Sequence, residues 1–145
     1  MKSYIIHFIR HGSIDDTLAG KYIGTTDAPL SDRGRMDLRK LDYEYKYPGT
    51  QVVFTSPLKR CTETAKILYP EQNPLVIDNL SECNFGEWEG KTADELKNDP
   101  NFEKWLAGDS SVKPPRGESN ADFTRRVCKI CLLYTSPSPR DRSLS

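Results

Sequence analysis

The run Tyr4-Ile5-Ile6-His7-Phe8-Ile9 stops at Arg10-His11-Gly12, and this junction constrains the fold more than any other stretch of the chain. A β-branched and aromatic run ending in a glycine turn predicts a buried strand over about Tyr4–Ile9, followed by a loop. In open α/β sheets, ligands bind just beyond the carboxyl ends of strands. A histidine there, with an arginine before it and a small glycine after it, can act as a nucleophile toward an anion. The triplet alone arises by chance in roughly one chain in a hundred of this length. The assignment therefore depends on the residues downstream of Gly12.

A polar loop runs from Gly12 to Leu30. Ser31 is a predicted N-cap, with Asp32 in the first turn, for a helix to about Tyr43. Its apolar content (Met36, Leu38, Leu41) is thin, which predicts a surface helix. Pro48-Gly49 is a turn, and Gln51–Phe54 a second strand. Pro57 fits the first turn of a second helix carrying Leu58, Cys61, Ala65 and Leu68 at helical spacing. Leu75–Ile77 is a short third strand. Thr92–Leu96 and Phe102–Leu106 are short helical pieces, and Gly108–Gly117 is a loop. Phe123, Val127 and Ile130 mark one face of a last helix. Strands alternating with helices predict an α/β sheet with crossovers.

With 145 residues the chain can bury one core. Lys and Arg total 21, as do Asp and Glu, so the balance points to neither nucleic acid nor a membrane surface. No stretch is long enough to span a bilayer, and the N-terminal apolar run is too short for a signal peptide. The four cysteines lack zinc spacing. Cys128 and Cys131 are three apart, but without a thioredoxin-like context. Free thiols and a cytoplasmic location are expected.

Two further stretches carry chemistry. Thr55-Ser56-Pro57-Leu58-Lys59-Arg60 lies at a strand end and helix start, where backbone N–H groups favour anions. Arg60, one turn in, can point back toward His11 and clamp a phosphoryl group; taken alone, it reads as a solvated helix residue. Leu80 to Gly90 sets acids among aromatics and glycines, which suggests a packed loop. A carboxyl shielded by aromatics has a raised pKa and can serve as general acid. Glu82, Glu87 and Glu89 compete for that role, each also an ordinary surface acid.

Taken together, these motifs resemble the histidine phosphatase superfamily, also called phosphoglycerate-mutase-like. Arg10-His11-Gly12 matches its signature, and Tyr22 to Ser31 resembles the segment after it. Ser56 to Ala65 resembles the second arginine motif, and Leu80 to Gly90 the acid motif. Gly117-Glu118-Ser119 and Phe123 to Val127 match a later segment. The resemblance implies a three-layer αβα fold with a mainly parallel sheet. It makes His11 the nucleophile that becomes phosphohistidine, and selects Glu82 as the proton donor and acceptor. It implies Arg10, Gly12, Thr17, Gly24 and Arg60 as substrate-binding residues, with Gly24 bordering the organic part. It requires no metal and no cofactor. The implied partner is a small phosphorylated metabolite, α-ribazole phosphate first, because Tyr22 to Ser31 is similar to that neighbourhood of the family. The resemblance also leaves room for a phosphoglycerate mutase, which transfers the phosphoryl group, and for a non-catalytic phospho-ligand-binding remnant.

The chain departs from the family pattern at Ile14 and Thr17, where a hydroxyl residue and an asparagine are usual. The family also uses a second histidine, on a strand near the C-terminus. The other histidine of this sequence is His7, which reads as a satisfied residue of the first strand. The segment from Cys131 to Asp141 breaks the helical pattern with two prolines and resembles a translated sequencing-library adapter. On that reading the domain occupies residues 1–130 and lacks its C-terminal strand, residues 131–145 form an unpacked tail, and this chain is an impaired catalyst.

Overall fold

Two short strands, β1 (Phe54–Thr55) and β2 (Leu75–Val76), pair in parallel with Phe54 opposite Leu75 and Thr55 opposite Val76. A computed structural model describes residues 5–135, with side chains described for residues 5–130. Parallel neighbours need a crossover, and α2 (Lys59–Leu68) supplies it. The ladder is extended by Leu75 N–H to Val53 O at 2.9 Å and Ile77 N–H to Thr55 O at 2.8 Å. The second and third predicted strands are thus present, each shorter than expected.

The first predicted strand is not formed among the described residues. Residues 5–10 join no ladder there, and Ile5 and Phe8 are 83% and 84% exposed; Tyr4 lies outside the described residues. An apolar β-branched run has strand propensity, but a strand exists only when its backbone groups find a ladder. His7, read as a sheet residue, is exposed accordingly.

Helix α1 (Asp32–Tyr45) starts where predicted. The Ser31 hydroxyl accepts the Gly34 N–H at 3.0 Å, and Lys46 at φ 50° ends the helix. Leu38 is its buried contact, packing with Leu30 and Leu68 against Tyr47, Ile67 and Tyr69. Met36 stays exposed, as suits a surface helix. Helix α2 begins two residues after Pro57, because Leu58, at φ −64° and ψ 136°, is still extended. Its first N–H is capped from outside: Lys59 donates to Asp27 Oδ1 at 2.7 Å. Leu58, Ala65 and Leu68 are buried as predicted, but Arg60, at 1% exposure, is buried more deeply than any of them.

A second core holds Trp88, Leu96 and Phe102, with Tyr22, Phe85 and Trp105 around them. Tyr22 meets Phe85 and Phe102 edge to face at 5.3 and 5.5 Å, the favoured aromatic geometry. Helices α3 (Ala93–Leu96) and α4 (Pro100–Leu106) frame it. Thr92 and Glu95 form a capping box on α3. Asp99 caps α4 and also accepts the Trp88 indole N–H at 2.9 Å. Helix α5 (Asn120–Thr135) continues past Ile130, so residues 131–135 are helical rather than extended. The remainder of the expected tail, from Ser136 on, lies outside the described residues.

One carboxylate ties the edge of the second core to the loop of residues 24–26. Glu89 accepts the N–H groups of Gly24, Thr25, Thr26 and Phe85 at 2.9–3.3 Å and the Thr26 hydroxyl at 2.6 Å. Gly24 permits this approach, since a Cβ there would lie 1.8 Å from Cys83 O. Burial pushes the Glu89 carboxyl upward, but the donors from Thr26, Gly24, Thr25 and Phe85 outweigh it and hold it below its ordinary 4.5. A depressed carboxylate stabilises the fold above its unfolded pKa and loses that contribution as pH falls through the folded value. Glu89→Ala is expected to cost about 3 kcal/mol by leaving several N–H groups without an acceptor. Denaturant midpoints at constant slope measure it; a shift under about 0.5 kcal/mol contradicts the brace. In Glu89→Gln, the loss of stability below pH 4.5 should be shallower than in the parent.

Candidate active site

His11 sits at the end of the unpaired segment, and side chains from other elements fix its loop. Ser31 N–H and hydroxyl both donate to Ser13 O, at 2.9 and 3.2 Å. A Cβ on Gly12 would lie 2.7 Å from Leu38 Cδ1, and one on Gly34 would lie 2.2 Å from Ser13 O. The loop therefore lies directly on the start of α1. Gly12 N–H donates to the Thr64 hydroxyl at 3.1 Å, which itself donates to Arg60 O at 2.7 Å. One buried hydroxyl thus ties the histidine loop to the helix that carries Arg60.

The imidazole is half-buried, with Nδ1 2.7 Å from Gly12 O. A carbonyl can only accept, so Nδ1 carries the proton and Nε2 the free lone pair. Burial of the ring lowers the His11 pKa from 6.5, and the Arg60 and Arg10 guanidiniums lower it further. The Gly12 hydrogen bond and the Glu82 carboxylate act in the opposite direction but do not overcome them. His11 is thus a neutral nitrogen base in the field of two arginines and one acid. Arg10 is its neighbour in the chain, and Arg60 and Glu82 act on its charge from two distant segments.

Arg60 differs from its sequence reading as a solvated residue. Its guanidinium donates to Thr26 O at 2.8 Å and Gly24 O at 2.6 Å. Among the described residues these hydrogen bonds go to carbonyls, not to a carboxylate. A buried cation held by neutral dipoles keeps much of its charge uncompensated, which favours an anion nearby. Arg10 is exposed.

The acid loop requires one correction. Burial, expected to mark a proton donor, falls instead on Glu89, which is half-buried with its carboxylate committed to backbone N–H groups. Glu87 pairs with Arg116 at 2.8 Å. Glu82 is exposed, and its Oε1 accepts the Cys83 N–H at 3.0 Å. Of the three acids, Glu82 is the one whose carboxylate is neither paired with a cation nor bonded to a distant backbone segment among the described residues. Its accessibility comes from exposure rather than from shielding.

Thr17 lies in a 3-10 turn (Asp16–Leu18), exposed, with its N–H on Asp15 Oδ1 at 2.8 Å. Ile14 forms an antiparallel bridge with Leu30. Gly24 is buried, and both its N–H and C=O are engaged within the protein, by Glu89 and Arg60. Cys61, Cys83 and Cys128 are free thiols. Burial, first, raises the Cys83 thiol to about 11, so it is protonated and unreactive at neutral pH. Among the described residues no group of three or more His, Cys, Asp or Glu is placed to hold a metal ion, and no helix is long and apolar enough to cross a membrane.

Sequence reasoning missed Thr64 and Arg126. Thr64 follows Arg60 by four residues, on the same helix face. Arg126 stands on the apolar face of Phe123, Val127 and Ile130, where a charged residue is itself a signal of a buried partner. Thr64→Val should destabilise by about 1–3 kcal/mol by orphaning the Gly12 N–H, whereas Thr64→Ser should restore most of the loss. Equal stability of the Val and Ser variants in thermal denaturation would remove Thr64 from this role.

Comparison with known proteins agrees with this geometry. The model of the histidine phosphatase superfamily (branch 1) matches residues 6–141. Phosphoserine phosphatase 1 of Hydrogenobacter thermophilus is 32% identical over 123 residues, which cover 82% of this chain and 58% of that protein. The chain thus spans about three-fifths of the length of this curated relative. The crystal structure of the α-ribazole phosphatase from Shigella flexneri superposes with a TM-score of 0.75 at 27% identity, covering 87% of this chain and 65% of the other. That of a phosphoglycerate mutase from Thermus thermophilus gives 0.69 at 30% identity, covering 84% and 67%. The fold is accordingly the mixed α/β fold of these phosphatases and mutases. With the family model matching nearly the whole chain, the protein belongs to the histidine phosphatase superfamily.

Proposed function

We propose that the protein hydrolyses a phosphomonoester of a small metabolite through a phosphohistidine at His11. The observation that carries this reading is the tautomer imposed by Gly12 O, which leaves Nε2 as the nucleophile beside Arg10, Arg60 and Glu82. Nε2 attacks phosphorus and the bond to the alcohol oxygen breaks. Glu82 gives its proton to the leaving oxygen. A water then attacks the phosphohistidine, Glu82 takes its proton, and inorganic phosphate leaves with the His11 lone pair restored. Arg10 and Arg60 offset charge on the equatorial oxygens throughout. Gly12 lets the loop lie on α1, and the exposed Thr17 hydroxyl is a further phosphate donor.

The first substrate to test is α-ribazole phosphate, supported by the likeness to the Shigella enzyme; phosphoserine is next, supported by the Hydrogenobacter relative. A second reading, transfer between phosphoglycerates, is favoured by the likeness to the Thermus mutase. Against it stands the short stretch from Gly90 to Gly117, filled here by α3, α4 and the turns between them. A reducing compartment fits the free thiols.

The decisive measurement is phosphate release and acid-labile, base-stable phosphoenzyme with these substrates. His11→Ala should abolish both. Glu82→Gln should slow turnover by roughly 10²–10⁴-fold while phosphate still binds. Full turnover in His11→Ala overturns the covalent route, and conversion of one phosphoglycerate to another without free phosphate establishes the mutase reading.

The pH profile is a separate check. The His11 pKa is lowered from 6.5, so the ring is mostly neutral at pH 6.5 and becomes protonated only in more acidic solution. The acid limb of kcat/KM should therefore fall below pH 6.5. A limb above that value, assigned to His11 by titration of the ring, contradicts the burial and arginine effects.

A further inference from the structure

Glu82 has an exposed side chain that accepts a hydrogen bond from the next backbone N–H. Its position relative to His11 is therefore set by its backbone. That backbone is held by one side chain from the far end of the sequence. Arg126, on α5, donates through Nη1 to Asn79 O and Ser81 O, both at 2.8 Å, and through Nη2 to Glu82 O at 3.0 Å. Its other two N–H groups go to Glu118, from Nε to Oε2 at 3.0 Å and from Nη2 to Oε1 at 2.5 Å. All five guanidinium donors are thereby used. The plane lies 5.0 Å over the Phe123 ring. Glu118 completes the clamp on the other side of Glu82: Oε1 accepts the Asn84 N–H at 3.0 Å, and its own N–H donates to Asn84 O at 2.9 Å.

We infer that Arg126, oriented by Glu118, is the positioning residue of the proton-transfer loop, holding residues 79–84 so that Glu82 stays in reach of the leaving oxygen. The inference rests on the reading of Glu82 as general acid. Only arginine fits the role. Its rigid fork reaches three carbonyls and a carboxylate at once, whereas a lysine ammonium has three donors at a single point. Simple docking of α5 would need only apolar contact, for which the half-buried Phe123, Val127 and Ile130 are available. It would not need all five donors aimed at one loop and its neighbour Glu118.

The test uses the 145-residue chain with Arg126→Lys, Arg126→Ala, Glu118→Gln and Glu82→Gln. Amide hydrogen exchange reads the loop without reference to catalysis. Exchange at Cys83 and Asn84 should accelerate by at least about tenfold in Arg126→Ala, as expected for local opening, with exchange in α2 unchanged. Arg126→Lys keeps the charge and guards against loss of folding; it should show a smaller change in the same direction, as should Glu118→Gln. First-turnover rates then separate positioning from general stability. With p-nitrophenyl phosphate, whose leaving group departs without a proton, the Arg126 variants should lose less than about threefold. With β-glycerophosphate, whose alkoxide needs a proton, they should lose at least about tenfold, following Glu82→Gln. KM should be unchanged for both. Unaltered exchange at Cys83 and Asn84, or equal slowing of the two substrates, overturns the inference. If Glu82→Gln itself fails to distinguish the two substrates, or no first turnover occurs in the parent, the general-acid reading fails for this chain. The exchange result then still decides whether Arg126 holds the loop.

Discussion

Three consecutive residues, Gly24 to Thr26, lie between a buried cation and a carboxylate, and the geometry of the site depends on that arrangement. The carbonyls of Gly24 and Thr26 point at the Arg60 guanidinium, and the N–H groups of all three at Glu89. The peptide dipoles are thus aligned between opposite charges, and each charge stabilises the orientation the other requires. Hydrogen bonds to charged groups contribute about 1.5–3 kcal/mol each, more than neutral ones. The same alignment makes Arg60 tolerable in a site where a bare cation would be expelled. It also leaves the cation without a directly bonded carboxylate among the described residues, which suits a residue that faces an anion. Glycine is required at position 24 because the Cys83 carbonyl occupies the space of a Cβ.

The functional side chains are held by different means, each suited to its task. The histidine is held through its own backbone: Gly12 O sets the tautomer, and Thr64 receives the Gly12 N–H. Arg60 is held directly, by donating to carbonyls. Glu82 is left exposed in its side chain but tethered in its backbone by Arg126 and Glu118. On the proposed mechanism, a proton donor that serves both leaving group and water benefits from that freedom. A nucleophile gains instead from a single fixed orientation. Apart from the Gly12 carbonyl, these holds draw on residues far apart in sequence.

Much of the local structure is legible from residue type. Ser31 caps α1 and Thr92 with Glu95 caps α3, because a cap is a local hydrogen bond between near neighbours. The burial of Leu58, Ala65 and Leu68 follows from helical spacing alone. The first strand departs from expectation for the opposite reason. The apolar run of Ile5 to Ile9 has the propensity of a strand, but pairing depends on a neighbour that no local pattern identifies. Pro57 has the residue type of a first helical turn, yet Leu58 remains extended and Asp27, from another loop, caps α2. Nothing in the helix sequence itself signals that cap.

The sequence alone determined which chemistry is available. A histidine, two arginines and an acid loop at family spacing specify phosphoryl chemistry wherever they meet. The family model matches residues 6–141 without reference to contacts. Only the tertiary structure decided which acid is free to act. Glu82, Glu87 and Glu89 are equivalent by composition. Packing commits Glu89 to the backbone of Gly24 to Thr26, gives Glu87 to Arg116, and leaves Glu82 exposed. It likewise turned Arg60 from a helix-surface residue into the most deeply buried side chain of α2, and brought Arg126 onto the acid loop. The physical reason is the same in each case. A side chain's chemistry is intrinsic to its type, but its availability depends on which distant donors and acceptors reach it first.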